Sequence, residues 1–160
     1  MMERREVTML RQVGCDTPMM SDTGAELNDL LPLYWYLSKR GHLPKPTLIN
    51  GLGLGCAVIL ALEFGVAPIV VIEIDPEIVA MVGGPLCRHY SDRLTVRCAD
   101  AFDWCPPKGR YGAVWHDIWP SICGDYYPEM KRLHRKYGRR CDWQGSWQRD
   151  KMRRLHKELK

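Results

Sequence analysis

The sequence predicts an α/β fold, a doubly wound and mostly parallel sheet of about five strands. From residue 47 onward, short and fully apolar strand stretches alternate with helical ones, the pattern of a parallel sheet covered on both faces. Glycines and carboxylates stand where those strands end, and such sheets bind ligands at their carboxyl edge. A chain of 160 residues with 46% hydrophobic content suits one domain around one core.

Residues 1–20 show no clear periodicity. Thr23 and Glu26 then form a capping box, and a helix should follow with Leu27, Leu30, Leu31, Tyr34 and Trp35 on one face. Pro32 kinks this helix or delays its start, and Gly41 ends it. Residues 47–50 read as strand one, and residues 56–64, after a glycine loop, as a buried helix. The β-branched run 69–74 is strand two. Asp75 caps the next helix with Pro76 in its first turn, and Gly83-Gly84 is expected to close it. Strands three and four are expected at 93–98 and 112–116, the latter ending at Asp117. Residues 126–137 read as a helix turning basic toward its end, and 141–143 as a weak fifth strand. No strand pair is expected after it. The chain thus reads as one domain with a helical cap (1–46), a core (47–128) and a basic segment (129–160).

Charge is unevenly spread. Residues 129–160 hold 12 Lys and Arg against 4 Asp and Glu, a net of +8, while residues 1–128 hold 11 against 15, a net of −4. The basic segment predicts a solvated helix face or, at most, weak nucleic-acid binding. The seven cysteines are odd in number and form no Cys-x-x-Cys pair, as expected of reduced thiols. No metal site is expected, because the histidines and cysteines share no ligand spacing. Residues 52–62 are broken by Gly53 and Gly55 and too short to span a bilayer, and no signal core follows the charged N-terminus. A cytoplasmic protein without a membrane span is expected.

Gly51-Leu52-Gly53-Leu54-Gly55 follows strand one, where glycines allow close backbone approach to a ligand. A dinucleotide fingerprint would need Gly or Ala at Cys56 or Val58, so neither register completes it. The spacing Gly-x-Gly-x-Gly is instead the form found in folds that bind S-adenosylmethionine (SAM). Glu73 ends strand two, where its two oxygens could accept two vicinal ribose hydroxyls. After strand three, Asp100 could accept an adenine amino group, the Ala101 amide could meet a ring nitrogen, and Phe102 could pack on the ring. Asp100 could equally cap a short turn.

Together, Ile49 to Gly55, Val71-Ile72-Glu73-Ile74-Asp75-Pro76 and Ala99-Asp100-Ala101 resemble class I SAM-dependent methyltransferases, with a Rossmann-like fold. The Glu-Ile-Asp signature is most similar to the branch that includes spermidine synthases. Thr17 to Thr23, Trp115-His116-Asp117-Ile118-Trp119, Leu133 to Arg140 and Asp142 to Trp147 resemble short methyltransferase-like proteins, many encoded by bacteriophages. The resemblance implies SAM as cofactor. The glycine loop (Asn50, Gly51, Gly53, Gly55) would hold its methionine part, Glu73 and Ile74 its ribose side, and Asp100, Ala101 and Phe102 its adenine. The sequence departs from the larger family at Ile49, where many members are acidic, and in having no large N-terminal β-domain of the spermidine-synthase kind.

Asp117 should face the crevice at the end of strand four, where it could orient an acceptor or take its proton. His116 then faces the opposite side, toward a packed helix. Trp115, Trp119, Trp143 and Trp147 are candidates for an acceptor wall or for core. The expected function is methyl transfer from SAM to a small-molecule acceptor. The alternatives are a non-catalytic SAM-binding module whose basic end binds RNA or a partner, and an aminopropyltransferase-like enzyme.

Overall fold

The structure, a computed structural model, describes residues 9–11, 18–21, 29–40 and 45–160. The Thr23–Glu26 capping box, Leu27 and Gly41 lie outside them. Two short strands, β1 (Met9–Arg11) and β2 (Pro18–Ser21), pair antiparallel in the N-terminal segment, in addition to the expected helix. Strands this short give too few residues for a period to register.

Helix α1 (Leu31–Arg40) starts with Pro32 in its first turn. Leu30, just before it, is buried as expected, but along the helix the buried residues are Leu33 and Leu37 and not the rest of the expected face. Leu31, Tyr34 and Trp35 are exposed. Two stripes of this apolar helix satisfy helical spacing, and packing against the sheet selects one of them.

The main sheet contains β3 (Thr47–Asn50), β4 (Ile69–Glu73), β5 (Leu94–Cys98), β6 (Tyr111–His116) and β7 (Cys141–Ser146). Its order is β5-β4-β3-β6-β7 and every pairing is parallel. The order reverses at β3, so β3 and β6 form the switch point, where side chains and loops part to leave a crevice.

Alternation along the strands sends side chains to two cores. Ile49, Val71, Ala113 and Trp115 join one core with α1 and α2 (Cys56–Glu63). Leu48, Ile72 and Val114 join the other with α5 (Tyr127–Tyr137) and α6 (Arg149–Glu158). Between β4 and β5 the chain does not stop helically at Gly83-Gly84. A short α3 (Pro76–Ile78) runs through a π-helical stretch, Val79–Gly83, into α4 (Gly84–Tyr90). Gly83 is buried and helical, and a Cβ there would lie 3.1 Å from Val96 and 3.3 Å from Leu52. Its missing side chain serves close packing on β5, not helix termination. No helix of the described residues is long and apolar enough to cross a membrane.

Candidate functional site

The carboxyl edge of the sheet gathers the expected site residues from four adjacent strands. Asn50 ends β3, Glu73 ends β4, Asp100 follows β5 by two residues and Asp117 follows β6. At the switch point the Gly51 amide donates to the Ile72 carbonyl (2.8 Å), and the Asp117 amide to the Asn50 carbonyl (2.8 Å). Gly51 has φ +94°, and a Cβ on it would sit 1.9 Å from the Asp117 carbonyl oxygen. Only glycine permits this approach between the loop and the end of β6. Gly53 (φ 51°) and Gly55 (φ 82°) continue the left-handed path, and Gly55 sits at the N-cap of α2.

Glu73 joins two of these segments. Its Oε2 accepts the Leu52 amide (2.8 Å) and its Oε1 the Asp75 amide (3.0 Å). Each oxygen keeps a second lone pair for a further donor. Asp75 caps α3 by accepting the Glu77 amide (2.8 Å). Ile74 between them is 64% exposed, an apolar side chain beside the crevice.

Asp100 does cap a turn: its Oδ1 accepts the Phe102 amide (2.7 Å), and its carbonyl the Trp104 amide (2.7 Å). Ala101 is buried, and the Phe102 ring is covered by the Arg132 guanidinium, 4.1 Å from its centroid. The connection from β5 to β6 carries no helix. Lys136 of α5 braces it by donating to the carbonyls of Ala101 (3.0 Å), Phe102 (2.7 Å) and Trp104 (2.7 Å). Burial lowers the Lys136 pKa, while Cys105, Asp103 and Asp100 raise it. Sequence reasoning missed this role, because Lys136 reads there as one cation of a basic helix face. Part of the basic segment is therefore structural and not a solvated face.

The Asn50 side chain turns away from the crevice. Its Nδ2 donates to His116 Nδ1 (2.9 Å), beneath the sheet edge. Asn50 follows Leu48 by two, so strand parity points it toward α5, as parity does for His116. Any part of Asn50 in ligand binding falls to its backbone. His116 is fully buried, as expected of a structural residue, and its Nε2 donates to Gln144 Oε1 (3.3 Å). Gln144 donates in turn to the His134 carbonyl (2.9 Å). Burial, then the neighbouring His134, lower the His116 pKa to about 3. Burial and Arg149 lower that of His134 to about 4.

The four tryptophans do not form one wall. Trp115 stacks on Trp143 at 6.3 Å, and Trp143 on Tyr36 at 4.6 Å. Trp119 is buried in the opposite core, and Trp147 donates to Asp29 (3.0 Å). Their large apolar area fills both cores.

No protein-family model matches the sequence, and no curated protein is similar to it in sequence. Solved structures do resemble its fold. The CcbJ methyltransferase from Streptomyces caelestis superimposes with a TM-score of 0.55 at 12% identity, over 69% of this chain and 43% of that one. A proposed RNA methyltransferase, PH1948 from Pyrococcus horikoshii, gives 0.60 at 16% identity, over 86% and 68%. The glycopeptide N-methyltransferase MtfA gives 0.53 at 16%, over 71% and 49%, and is also solved with SAM. The chain carries a Rossmann-like methyltransferase fold. It spans about half the length of two of these three neighbours.

Proposed function

We propose that the chain binds SAM at the carboxyl edge of β3, β4 and β5 and transfers its methyl group to a small-molecule acceptor held near β6. One observation carries the reading. The glycine loop and the Glu73 carboxylate are hydrogen-bonded to each other, at the edge where sheets of this kind take ligands. The residues present suit SAM. The left-handed backbone of Gly51, Gly53 and Gly55 allows close approach to a ligand, Glu73 keeps lone pairs for ribose hydroxyls, and Ile74 offers an exposed apolar face. Similarity of fold to a methyltransferase solved with SAM supports the same reading. The fold does not separate the spermidine-synthase-like branch from others.

When bound, SAM supplies an activated methyl group on a sulfonium. In this reading the chain's own work is placement. The positive-φ glycines let the loop backbone approach the methionine part, and Glu73 fixes the ribose. The turn capped by Asp100 and braced by Lys136 carries the adenine contacts. Asp117, whose backbone is pinned between Asn50 and Gly51, orients the acceptor and accepts the proton it sheds.

Calorimetry with SAM, S-adenosylhomocysteine and NAD tests the cofactor, and incubation with labelled SAM and a metabolite extract tests the transfer. SAM binding and a labelled small molecule are expected. NAD binding without SAM binding would sink the reading. SAM binding with no labelled product would favour the non-catalytic module.

A further inference from the structure

A second concavity lies beside the switch point, at the carboxyl end of β7. Its volume is about 420 Å³, within the range of small-molecule pockets. It opens between the start of α1 and the turn from β7 into α6. The register places it next to the crevice. Ser146 pairs with His116, and the Trp147 amide donates to the His116 carbonyl (2.9 Å). From β3 to β7 is two strand spacings, about 10 Å.

The lining carries three cations and two carboxylates. Both carboxylates have partners, but Asp29 meets only neutral donors and keeps its charge. Asp29 accepts Trp147 Nε1 (3.0 Å) on one oxygen and Gln148 Nε2 (2.6 Å) on the other. Asp150 pairs with Arg153 at 3.3 Å. Arg149, Lys151 and Arg154 also line the cavity, and none of them has an ion-pair partner among the described residues. The Arg149 charge lowers the pKa of both His134 and His116. Gln144 and Ser146 also line the wall and tie it to the buried histidines, Gln144 through His116 and the His134 carbonyl and Ser146 through His134 Nε2 at 2.5 Å. Trp143 offers no stacking platform, because Tyr36 and Trp115 flank its ring.

We infer that this cavity binds a phosphomonoester group and that the acceptor is a small phosphorylated molecule, such as a sugar phosphate. Three cations without an ion-pair partner among the described residues line this pocket against two carboxylates, a net positive wall that suits an anion better than a cationic acceptor. Among the described lining residues no aromatic face is free, which argues against a stacked base and hence against a single-stranded nucleic acid. The cavity's use as an acceptor site rests on the methyltransferase reading, but its affinity for phosphate does not, because SAM contains no phosphate.

The test is calorimetry on the full chain with ribose 5-phosphate, inorganic phosphate, ribose and a single-stranded RNA oligonucleotide. SAM affinity is measured on the same samples. Both phosphates should bind and ribose should not. The exposed-residue variants Arg149→Gln and Arg154→Gln should each weaken phosphate binding about tenfold, the scale of a lost charge-assisted hydrogen bond, with SAM affinity unchanged. An NMR titration should show the His134 imidazole moving with phosphate in the wild type and not in Arg149→Gln. No phosphate binding, or binding indifferent to both substitutions, would overturn the inference even if SAM binds. RNA binding without sugar-phosphate binding would overturn it too. Phosphate binding without SAM binding would uphold the pocket and remove the methyltransferase reading instead.

Discussion

Glu73 Oε2 accepts the backbone amide of Leu52 at 2.8 Å, so the carboxylate that ends β4 holds the glycine loop that follows β3. The proposed ribose ligand is therefore also a fastener of the loop. Glu73→Ala removes both functions, and Glu73→Gln keeps one acceptor oxygen. Calorimetry should show SAM affinity falling by about 1.5–3 kcal/mol in Glu73→Ala and by less in Glu73→Gln. Thermal unfolding should fall in the same order. Unchanged SAM affinity in a folded Glu73→Ala protein would remove it from the site.

Lys136→Met keeps the aliphatic stem and deletes the ammonium that three carbonyls share. The change should cost about 1–3 kcal/mol, as for lost hydrogen bonds to a charged donor. The effect should be local. Amide exchange should quicken in residues 99–105, and SAM affinity should fall because Lys136 holds the carbonyls of Ala101 and Phe102, two of the proposed adenine contacts. Wild-type exchange there would show that the turn stands without its brace.

Gly51→Ala sets a Cβ against the Asp117 carbonyl at 1.9 Å, in a backbone with φ +94°. Neither partner can retreat, because the Gly51 amide is bonded to Ile72 and the Asp117 amide to Asn50. The ends of β3 and β6 must part. Destabilisation of about 3 kcal/mol or more, with loss of SAM binding, is expected from this clash and backbone strain. A wild-type melting temperature would contradict the close approach.

His116 and His134 make stability depend on pH. Their folded pKa values, about 3 and about 4, lie below the ordinary 6.5. Below that ordinary value the unfolded chain takes up protons that the folded chain refuses. Their contribution is therefore complete above about pH 6.5 and is lost as pH falls toward the folded values. His116 alone adds a slope of up to about 1.4 kcal/mol per pH unit. Denaturant midpoints should drop steadily from about pH 7 to about pH 5, where most carboxylates are still ionised. A flat profile over that range would mean that the buried imidazoles are not held neutral.

Much of this fold is legible in the sequence, for a physical reason. β3, β4 and β6 are covered on both faces, so residues 47–50, 69–73 and 111–116 read as short apolar runs. The helix cap at Asp75 and the Asp117 position after β6 follow from local chemistry. What stayed hidden depends on distant partners. Gly83 looks like a helix stop and is instead a packing gap facing Val96. Lys136 looks solvated, and its acceptors lie more than 30 residues away. The direction of Asn50 was available from strand parity, and its partner His116 sits 66 positions on. The α6 helix, with Met152 buried, is masked in the sequence by its density of charge.

Asp117 carries the catalytic half of the proposal. Its backbone is fixed by the Asn50 carbonyl and the close approach of Gly51, so a change of side chain should leave the loop in place. Asp117→Asn keeps shape and removes basicity. If the carboxylate orients the acceptor and takes its proton, SAM affinity should stay near wild type, and turnover should fall about 10²-fold or more, the usual scale for a lost general base. If it instead holds the methionine amino group, the same change removes a charge-assisted bond, and affinity should fall together with rate. The two roles separate when SAM binding is followed by calorimetry and transfer by label incorporation into the same acceptor. Arg149→Gln provides the contrasting variant, with an acceptor KM that rises while SAM affinity holds. Wild-type rate and affinity in Asp117→Asn would take Asp117 out of the site and leave the binding half of the proposal standing alone.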